Sequence, residues 1–237
     1  MRPFFPYYGS KWNTARYYPP PQYGHVIEPF AGSAGYALFY DCGTVTLFDQ
    51  DPIIAGVWAY LIRTGAEEIL RLPELPEVGD TVDNYPTLPQ EARWLIGFWL
   101  NRGSAQPKKS RTAYSARTDK AQLNWGPRAK QRIAEQLPGI RNWRVAEGTY
   151  WDAPTLRATW FVDPPYGVAG THYRCSGAHL DYEWLGQWCE MRIGQCIVCA
   201  NVGATWLPFT PLGSFKSTRG RSAEAVWTHA YDVTVLV

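Results

Sequence analysis

The chain has 237 residues, of which 46% are hydrophobic and 19% are charged, a composition that is typical of globular proteins and excludes a disordered one. This length suits one sizeable α/β domain with a small insertion, and every apolar stretch is too short for the ~20 residues of a membrane span. The net charge of +2 indicates no general preference for acidic or basic partners. Five irregularly spaced cysteines and the lack of a signal peptide at the N-terminus predict a cytoplasmic protein without disulfide bonds.

The N-terminal part of the chain alternates predicted strands and helices. An apolar run at 25–30 predicts a strand, small residues at 33–40 begin a helix, and a β-branched run at 44–48 predicts a second strand. Apolar residues at helical spacing predict a helix over 52–63, which ends before Gly65. This β-α-β-α order is typical of a parallel sheet with helices on its faces.

The alternation then stops and resumes only with a predicted strand at 159–162. Between these parts lie proline-rich turns and two predicted helices, at 91–100 and 126–137. We interpret the irregular part as an insertion that carries specificity. The predicted division is a catalytic domain of residues 1–66 and 149–237 with an inserted target-recognition region of residues 67–148.

The insertion contains a basic block. Between residues 101 and 132, Asp119 is the only acid among nine basic residues. Such a block is a candidate surface for phosphate groups, although a solvated loop would have the same composition. The residues predicted to contact nucleic acid are Arg102, Lys108, Lys109, Arg111, Arg117, Lys120 and Trp125.

The C-terminal part predicts further elements of a sheet. A helix is predicted at 182–191, and its two tryptophans are expected to be core residues. An apolar run at 196–200 predicts a buried strand. Two runs rich in β-branched residues, at 223–228 and 232–237, predict a terminal strand pair.

Two features of the first half are typical of nucleotide binding. The turn Glu28-Pro29-Phe30-Ala31-Gly32-Ser33-Ala34-Gly35 leaves the first strand and begins the first helix, so its backbone can approach a bound nucleotide closely. Asp49 ends the second strand about 20 residues downstream, where a carboxylate accepts hydrogen bonds from ribose hydroxyls. Asp51 is an alternative for that role, although its position also suits a helix N-cap.

A third feature, Asp163-Pro164-Pro165-Tyr166, follows the strand at 159–162. Ligands of open α/β sheets bind at the carboxyl ends of the strands, where this tetrapeptide lies. The two prolines stiffen the turn, so that Asp163 and a peptide carbonyl project as fixed hydrogen-bond acceptors. Tyr166 offers a flat face to a planar substrate.

In this order, the motifs resemble those of the Dam-type DNA N6-adenine methyltransferases, particularly the short bacteriophage and prophage members. The resemblance covers nearly the whole chain and implies an α/β, Rossmann-like S-adenosylmethionine-dependent methyltransferase fold with an inserted target-recognition region. Tyr7-Tyr8-Gly9-Ser10-Lys11 is similar to the family's first cofactor segment, which implies that Lys11 lies near the carboxylate of the methionine part. The chain departs from many relatives at Ala34, where they have glycine.

The resemblance also implies the residues of the site. The implied catalytic residues are Asp163, Pro164, Pro165 and Tyr166. The residues implied to bind S-adenosylmethionine are Tyr7, Lys11, Glu28, Phe30, Ala31, Gly32, Ser33, Asp49 and Asp163.

The implied reaction is methyl transfer to N6 of an adenine that has been flipped out of double-stranded DNA. Asp163 and the Pro164 carbonyl would bind the two amino hydrogens, and Tyr166 would stack on the base. The tetrapeptide leaves alternatives open, because it also occurs in cytosine-N4 and RNA methyltransferases. A DNA-binding module without activity is a further alternative. We expect a monomer that has no membrane partner.

Weaker patterns suggest metal or redox chemistry. His172, Cys175 and His179 lie close together, but their spacing is not typical of zinc ligands and the sequence offers no clear fourth one. Cys196 and Cys199 have the spacing of a redox pair but lie in an apolar run, so buried thiols are expected. We therefore predict no metal.

Overall fold

The computed structural model describes residues 1–100, 104–117, 124–166, 180–217 and 220–231. The strands of its central sheet are β1 (His25–Glu28), β2 (Thr44–Asp49), β3 (Arg144–Glu147), β4 (Ala158–Val162), β5 (Gly194–Asn201), β6 (Thr210–Ser217) and β7 (Gly220–Tyr231). The described helices are α1 (Gly35–Phe39), α2 (Pro52–Arg63), α3 (Ala66–Arg71), α4 (Gln90–Leu100), α5 (Pro127–Gln136) and α6 (Tyr182–Glu190). Within these described ranges, no helix is long and apolar enough to cross a membrane.

The sheet has the order β3-β2-β1-β4-β5-β7-β6. Strands β1 to β5 pair in parallel, and β7 runs antiparallel to both of its neighbours. The chain adds β2 and β3 on one side of β1 and then returns to add β4 and β5 on the other side. This topology is that of a doubly wound sheet extended by an antiparallel hairpin, which confirms the predicted Rossmann-like α/β fold.

The topology also determines where a ligand is expected. The direction of winding reverses between β1 and β4, and at such a switch point the loops that follow the two strands diverge and leave a crevice. The glycine turn follows β1, and the tetrapeptide that begins at Asp163 follows β4. The fold therefore brings these two distant motifs to one end of adjacent strands.

Alternate residues of the central strands enter two different cores. Val26 and Phe161 belong to the core on one face of the sheet, whereas Ile27, Trp160 and Val162 belong to the core on the other face. This arrangement follows from the two-residue period of a strand. Because helices or loops cover both faces, these strands are apolar on both sides, which agrees with their nearly continuous hydrophobic sequences.

The sequence predicted helix α2 within the same bounds that the structure shows. The side chain of Asp51 accepts a hydrogen bond from the backbone N–H of Ile53 at 3.0 Å, and Pro52 is the first helical residue. Asp51 is therefore the N-cap of α2, as its alternative interpretation proposed.

Two parts of the sheet differ from the prediction. Strand β3 pairs with β2 in parallel, so residues 144–147 belong to the sheet and not to the insertion. Residues 223–228 lie in β7, which forms a hairpin with the preceding strand β6 that was not predicted. The predicted strand at 232–237 lies outside the described residues. Strand β3 is short and largely exposed, and β6 contains Pro211 and Gly213, so neither strand has a typical sequence pattern.

The helices of the predicted insertion share the core of the catalytic domain. Phe98 of α4 stacks on Phe5 with ring centroids 5.0 Å apart, and Phe5 also contacts Trp58 of α2. The indole N–H of Trp99 donates to the backbone carbonyl of Phe4 at 3.0 Å. These contacts make the helical part of the insertion continuous with the domain that it interrupts.

We predict that a methyl group at Gly35 destabilises the fold. A Cβ atom at this position would lie 2.6 Å from the backbone nitrogen of Trp12 and 2.9 Å from that of Lys11, so helix α1 and the N-terminal segment would have to separate. Overpacking of this kind costs about 1–3 kcal/mol. Gly35→Ala is therefore expected to lower the free energy of unfolding by that amount, measured by urea denaturation.

The matched control for this prediction is Gly43→Ala, because a Cβ at Gly43 meets nothing within 4 Å. The control is expected to change stability by less than about 0.5 kcal/mol. Equal stability of the two variants would contradict the close approach of α1 to the N-terminal segment.

Candidate active site

The glycine turn is held by the carboxyl end of β2. The backbone N–H of Ala31 donates to the carbonyl of Phe48 at 2.9 Å. Asp49 accepts two further backbone N–H groups, from Gly32 and Asp51, each at 2.9 Å. Burial nevertheless raises the pKa of Asp49 to about 6, and these two hydrogen bonds oppose that rise. The turn and the predicted ribose-binding carboxylate therefore form one hydrogen-bonded unit.

Two residues of this turn adopt the left-handed backbone conformation. Gly32 has φ of +45°, and a Cβ atom there would come within 3.0 Å of the Tyr7 ring. Ala34 has φ of +49° and ψ of +46°. At the one position where the motif departs from many resembling sequences, alanine therefore carries a strain of roughly 1–2 kcal/mol that glycine would avoid.

Glu28 ends β1 beneath the turn and is 2% exposed. Its side chain accepts the backbone N–H of Ala37 in α1 at 2.8 Å. Burial raises the pKa of Glu28 to about 8, although the hydrogen bond from Ala37 opposes this rise. Glu28 is consequently protonated at neutral pH and can donate one hydrogen bond into the site as well as accept others.

A cavity of about 830 Å³ opens at this edge of the sheet. All nine residues that the resemblance implied for S-adenosylmethionine binding line it, from Tyr7 and Lys11 at the N-terminus to Asp163 after β4. The switch-point topology predicts that residues at the carboxyl ends of β1, β2 and β4 lie together at one cavity.

Sequence reasoning missed an aromatic wall of this cavity. Phe30 stacks on Tyr150 with ring centroids 5.7 Å apart, and Trp151 lies 6.4 Å from Trp184. Trp184 was expected in the core but is 54% exposed and lines the cavity, whereas Trp188 is a core residue as predicted. Trp184 and Trp188 are four residues apart on α6, so their spacing places them on the same face of the helix. The spacing does not indicate whether both side chains on that face are buried.

Lys11 and Asp163 form an ion pair beside the cavity. The Lys11 Nζ lies 2.8 Å from Oδ1 and 3.0 Å from Oδ2 of Asp163. The Tyr166 hydroxyl donates to the same Oδ1 at 2.9 Å, and Lys11 Nζ lies 4.7 Å from the centre of the Tyr166 ring. The tetrapeptide is therefore bound to the predicted first cofactor segment through the side chain of Lys11, which contacts both Asp163 and Tyr166.

This arrangement changes the interpretation of two side chains. Tyr166 was expected to offer a flat face to the substrate, but one face of its ring lies under Lys11 and its hydroxyl binds Asp163. Lys11 was expected near the methionine carboxylate, and the structure places its ammonium group on Asp163. The predicted role of Lys11 in cofactor binding stays a prediction, since the residue also lines the cavity.

Glu224 in β7 completes the cluster and was not predicted. This buried carboxylate lies 3.1 Å from the Tyr166 hydroxyl, whose single proton is shared between Asp163 and Glu224, and it accepts the hydroxyl of Tyr18 at 3.4 Å. It also lies 4.0 Å from Lys11 Nζ. The sequence carries no clear signal for this role, because the strand face that Glu224 shares with Ser222, Val226 and Thr228 is mostly polar. A buried acid requires partners, which Lys11 and the two tyrosine hydroxyls provide.

The opposite charges of Lys11 and the two carboxylates each favour the ionised form of the other. Burial alone would lower the pKa of Lys11, but the carboxylates of Asp163 and Glu224 raise it above its ordinary value. Burial raises the pKa of Asp163, and the adjacent Lys11 ammonium opposes that rise. Burial also raises the pKa of the Tyr166 hydroxyl. Lys11 is therefore a permanent cation at neutral pH, and Tyr166 is a neutral donor.

A second cavity of about 1130 Å³ adjoins the first at the ion pair. Lys11 and Asp163 line both cavities. The rest of the tetrapeptide is divided, because Pro165 lines the first cavity, whereas Pro164 and Tyr166 line the second. The predicted catalytic residues therefore line two adjoining cavities, with Asp163 common to both.

Two of the residues predicted to contact nucleic acid are structural instead. Trp125 is 3% exposed, and its indole N–H donates to the Pro73 carbonyl at 2.7 Å. Arg111 is 6% exposed and donates to the Leu75 carbonyl at 3.1 Å. These two predictions are wrong for the described structure, because neither side chain presents a free surface to a base or a phosphate.

The other predicted contacts have mixed outcomes. Lys108 and Arg117 are exposed, and Lys109 is exposed but pairs with Asp83 at 3.1 Å. Arg102 and Lys120 lie outside the described residues. With Arg128, which is also exposed, the basic block therefore keeps four exposed cations among the residues that can be described.

The metal and redox patterns also have different outcomes. His172, Cys175 and His179 lie outside the described residues, and the described ranges contain no cluster of three or more His, Cys, Asp or Glu side chains that could hold a metal ion. Cys196 and Cys199 are buried free thiols, as predicted. They belong to opposite faces of β5, because residues three apart on a strand point in opposite directions.

Comparisons with known proteins add little to this description. No family model matches the chain, and no curated protein sequence matches it. Among solved structures it is similar to a candidate methylase from Haemophilus influenzae, with 11% identity over 87% of this chain and 80% of that one, at a TM-score of 0.38. It is also similar to a candidate methyltransferase from Escherichia coli, with 12% identity over 94% of this chain and 82% of that one, at a TM-score of 0.38. Similarity at this level carries no argument about activity, so the function has to be inferred from the site.

We predict that Glu28 makes stability depend on pH. The native pKa of about 8 exceeds the ordinary value of 4.5, so between these pH values the unfolded chain loses a proton that the native protein retains. Stability contributed by protonated Glu28 is therefore full below about pH 4.5 and is lost as the pH rises to 8. The neutral variant Glu28→Gln lacks this loss, and from pH 5 to pH 8 it should gain roughly 3 kcal/mol relative to the wild type.

Urea denaturation at several pH values measures this difference. Glu190→Gln, which removes an exposed carboxylate from the end of α6, is the control and should follow the wild type at every pH. Parallel pH profiles for Glu28→Gln and the wild type would show that Glu28 is not protonated in the native protein.

Proposed function

We propose that this chain is an S-adenosylmethionine-dependent methyltransferase that acts on N6 of adenine in DNA. The observation that carries the proposal is the position of Asp163, which lines two adjoining cavities and whose carboxylate is fixed by Lys11 and Tyr166. A group transfer between two bound molecules requires their reacting atoms to meet in a fixed geometry. A rigid hydrogen-bond acceptor that is common to both cavities provides such a meeting point.

The chemistry of the first cavity fits S-adenosylmethionine, which when bound supplies an electrophilic methyl group on a sulfonium. Asp49 offers carboxylate oxygens at the sheet edge, where ribose hydroxyls bind in related folds. The stacked pair of Phe30 and Tyr150 offers an apolar wall to a planar base. The carboxylate of Asp163 provides negative charge that favours a nearby cation.

Asp163 has the properties that methylation of an exocyclic amine requires. The lone pair of adenine N6 is delocalised into the ring, so this nitrogen is a poor nucleophile. Asp163 and the carbonyl of Pro164 would accept its two amino hydrogens and favour a tetrahedral nitrogen, which stabilises the transition state more than the ground state. Lys11 and Tyr166 keep the carboxylate in one orientation, and the Tyr182 hydroxyl binds the Pro165 carbonyl.

A nucleic acid is the acceptor that the surroundings of the second cavity favour, and the resemblance to the Dam-type family favours DNA. Arg2, Arg16 and Arg132 line this cavity, and cations attract a phosphate backbone. A target base inside a duplex is inaccessible, so it would have to be flipped out to reach Asp163. Lys108 and Arg117 remain candidate phosphate contacts farther from the site.

The proposal predicts label in one nucleoside. Purified protein is incubated with unmethylated duplex DNA and S-adenosylmethionine labelled in its methyl group, and the DNA is then digested to nucleosides. Label is expected in N6-methyl-2′-deoxyadenosine. Asp163→Ala should reduce the rate of transfer by about 10²-fold or more, because a preorganised group that stabilises the transition state is lost.

Glu190→Ala serves as the control, since it removes an exposed carboxylate far along α6 and should retain full activity. Label in N4-methylcytosine would show that cytosine is the substrate, and transfer only to a matched RNA would show that RNA is the substrate. Both results would still identify the reaction as methyl transfer. Failure of the wild type to bind S-adenosylmethionine in calorimetry would contradict the methyltransferase proposal and leave a binding module.

A further inference from the structure

An aromatic pair with one exposed ring lines the second cavity. Tyr17 is 52% exposed, and its ring lies 4.7 Å from that of Phe215 in β6. Both residues line the cavity that Asp163, Pro164 and Tyr166 also line. A large aromatic side chain that is exposed beside a candidate active site indicates a binding role more strongly than an isolated one.

The position of Tyr17 relative to the active site is fixed by its neighbour. Tyr18 is 2% exposed, its ring packs edge-on against Phe161 at 5.4 Å, and its hydroxyl binds Glu224 at 3.4 Å. Glu224 in turn binds the hydroxyl of Tyr166. Two successive residues therefore point in different directions, one into the catalytic cluster and the other into the open cavity.

The segment that carries Tyr17 also carries a cation. Arg16 is exposed, and its guanidinium carbon lies 5.8 Å from the centre of the Tyr17 ring. Among the residues that the structure describes, Arg16 forms no ion pair within 4.0 Å. Its charge therefore remains available to an anion that enters the cavity beside Tyr17.

We infer that Tyr17, Arg16 and Phe215 form a binding site for a nucleotide of the DNA strand that carries the target base. Aromatic faces bind bases by stacking irrespective of sequence, and a guanidinium group binds the adjoining phosphate. The pair of rings is already assembled, which reduces the entropy lost on binding. This inference rests on the proposed function for the identity of its ligand, but not on methyl transfer itself.

Oligonucleotides with and without bases test the stacking role. Fluorescence anisotropy measures binding of labelled oligo(dA) and of an abasic oligomer of equal length to the complete protein. Tyr17→Ala is expected to weaken oligo(dA) binding about tenfold and to leave binding of the abasic oligomer unchanged. Tyr17→Phe, which keeps the ring, should bind as the wild type does, whereas Arg16→Ala should weaken binding of both oligomers.

Tyr85→Ala removes another exposed tyrosine, which lies outside both cavities, and is the matched control. If Tyr17→Ala fails to fold, Tyr17→Leu preserves apolar bulk without a ring and should show the same selective loss. Equal affinities of wild type and Tyr17→Ala for oligo(dA), or equal losses for both oligomers, would overturn the inference, as would a wild type that binds neither oligomer. If Tyr17→Ala loses affinity for oligo(dA) alone and the wild type transfers no methyl group, the result would contradict the proposed function and still support this nucleotide-binding site.

Discussion

The ion pair between Lys11 and Asp163 is the interaction on which the rest of the site depends. It joins two residues that are 152 positions apart in the chain, one in the N-terminal segment and one after β4. A buried charge is costly unless it is paired and hydrogen-bonded, so the pair requires its surroundings to be complete. Tyr166, in the same tetrapeptide as Asp163, and Glu224, in β7, satisfy this requirement.

The close packing of the N-terminal segment places the lysine of this pair. Helix α1 begins with Gly35, which allows the backbone of Lys11 and Trp12 to approach within van der Waals contact. That approach places the Lys11 side chain above the sheet edge, between the spaces proposed for the methyl donor and the acceptor. Packing at one small residue therefore determines where the charge lies.

Much of the fold was predictable because a parallel sheet obeys strong topological rules. The alternation of strands and helices up to α2, followed by β4, predicts a doubly wound sheet, and its carboxyl ends collect the residues that follow the strands. For this reason Gly32, Asp49 and Asp163, which are far apart in sequence, could be assigned to one site before their distances were known.

Other features depend on tertiary contacts that local sequence does not encode. Trp125 follows a basic run that suggests an exposed loop, yet its side chain is buried against the rest of the domain. Glu224 lies in a strand whose partner β6 has an irregular sequence, so its proximity to Lys11 follows only from the pairing of β7 with β5. A short edge strand such as β3 adopts its extended conformation because it pairs with β2, and its own residues do not predict a strand.

The central claim is that Asp163 lies where a donor space adjoins an acceptor space. A crystal structure of the protein with S-adenosylhomocysteine would test this claim most directly. The account predicts ligand density in the cavity lined by Gly32, Asp49 and Phe30, and none beside Tyr17. Density for the ligand in the cavity lined by Pro164 and Tyr166 would contradict the account.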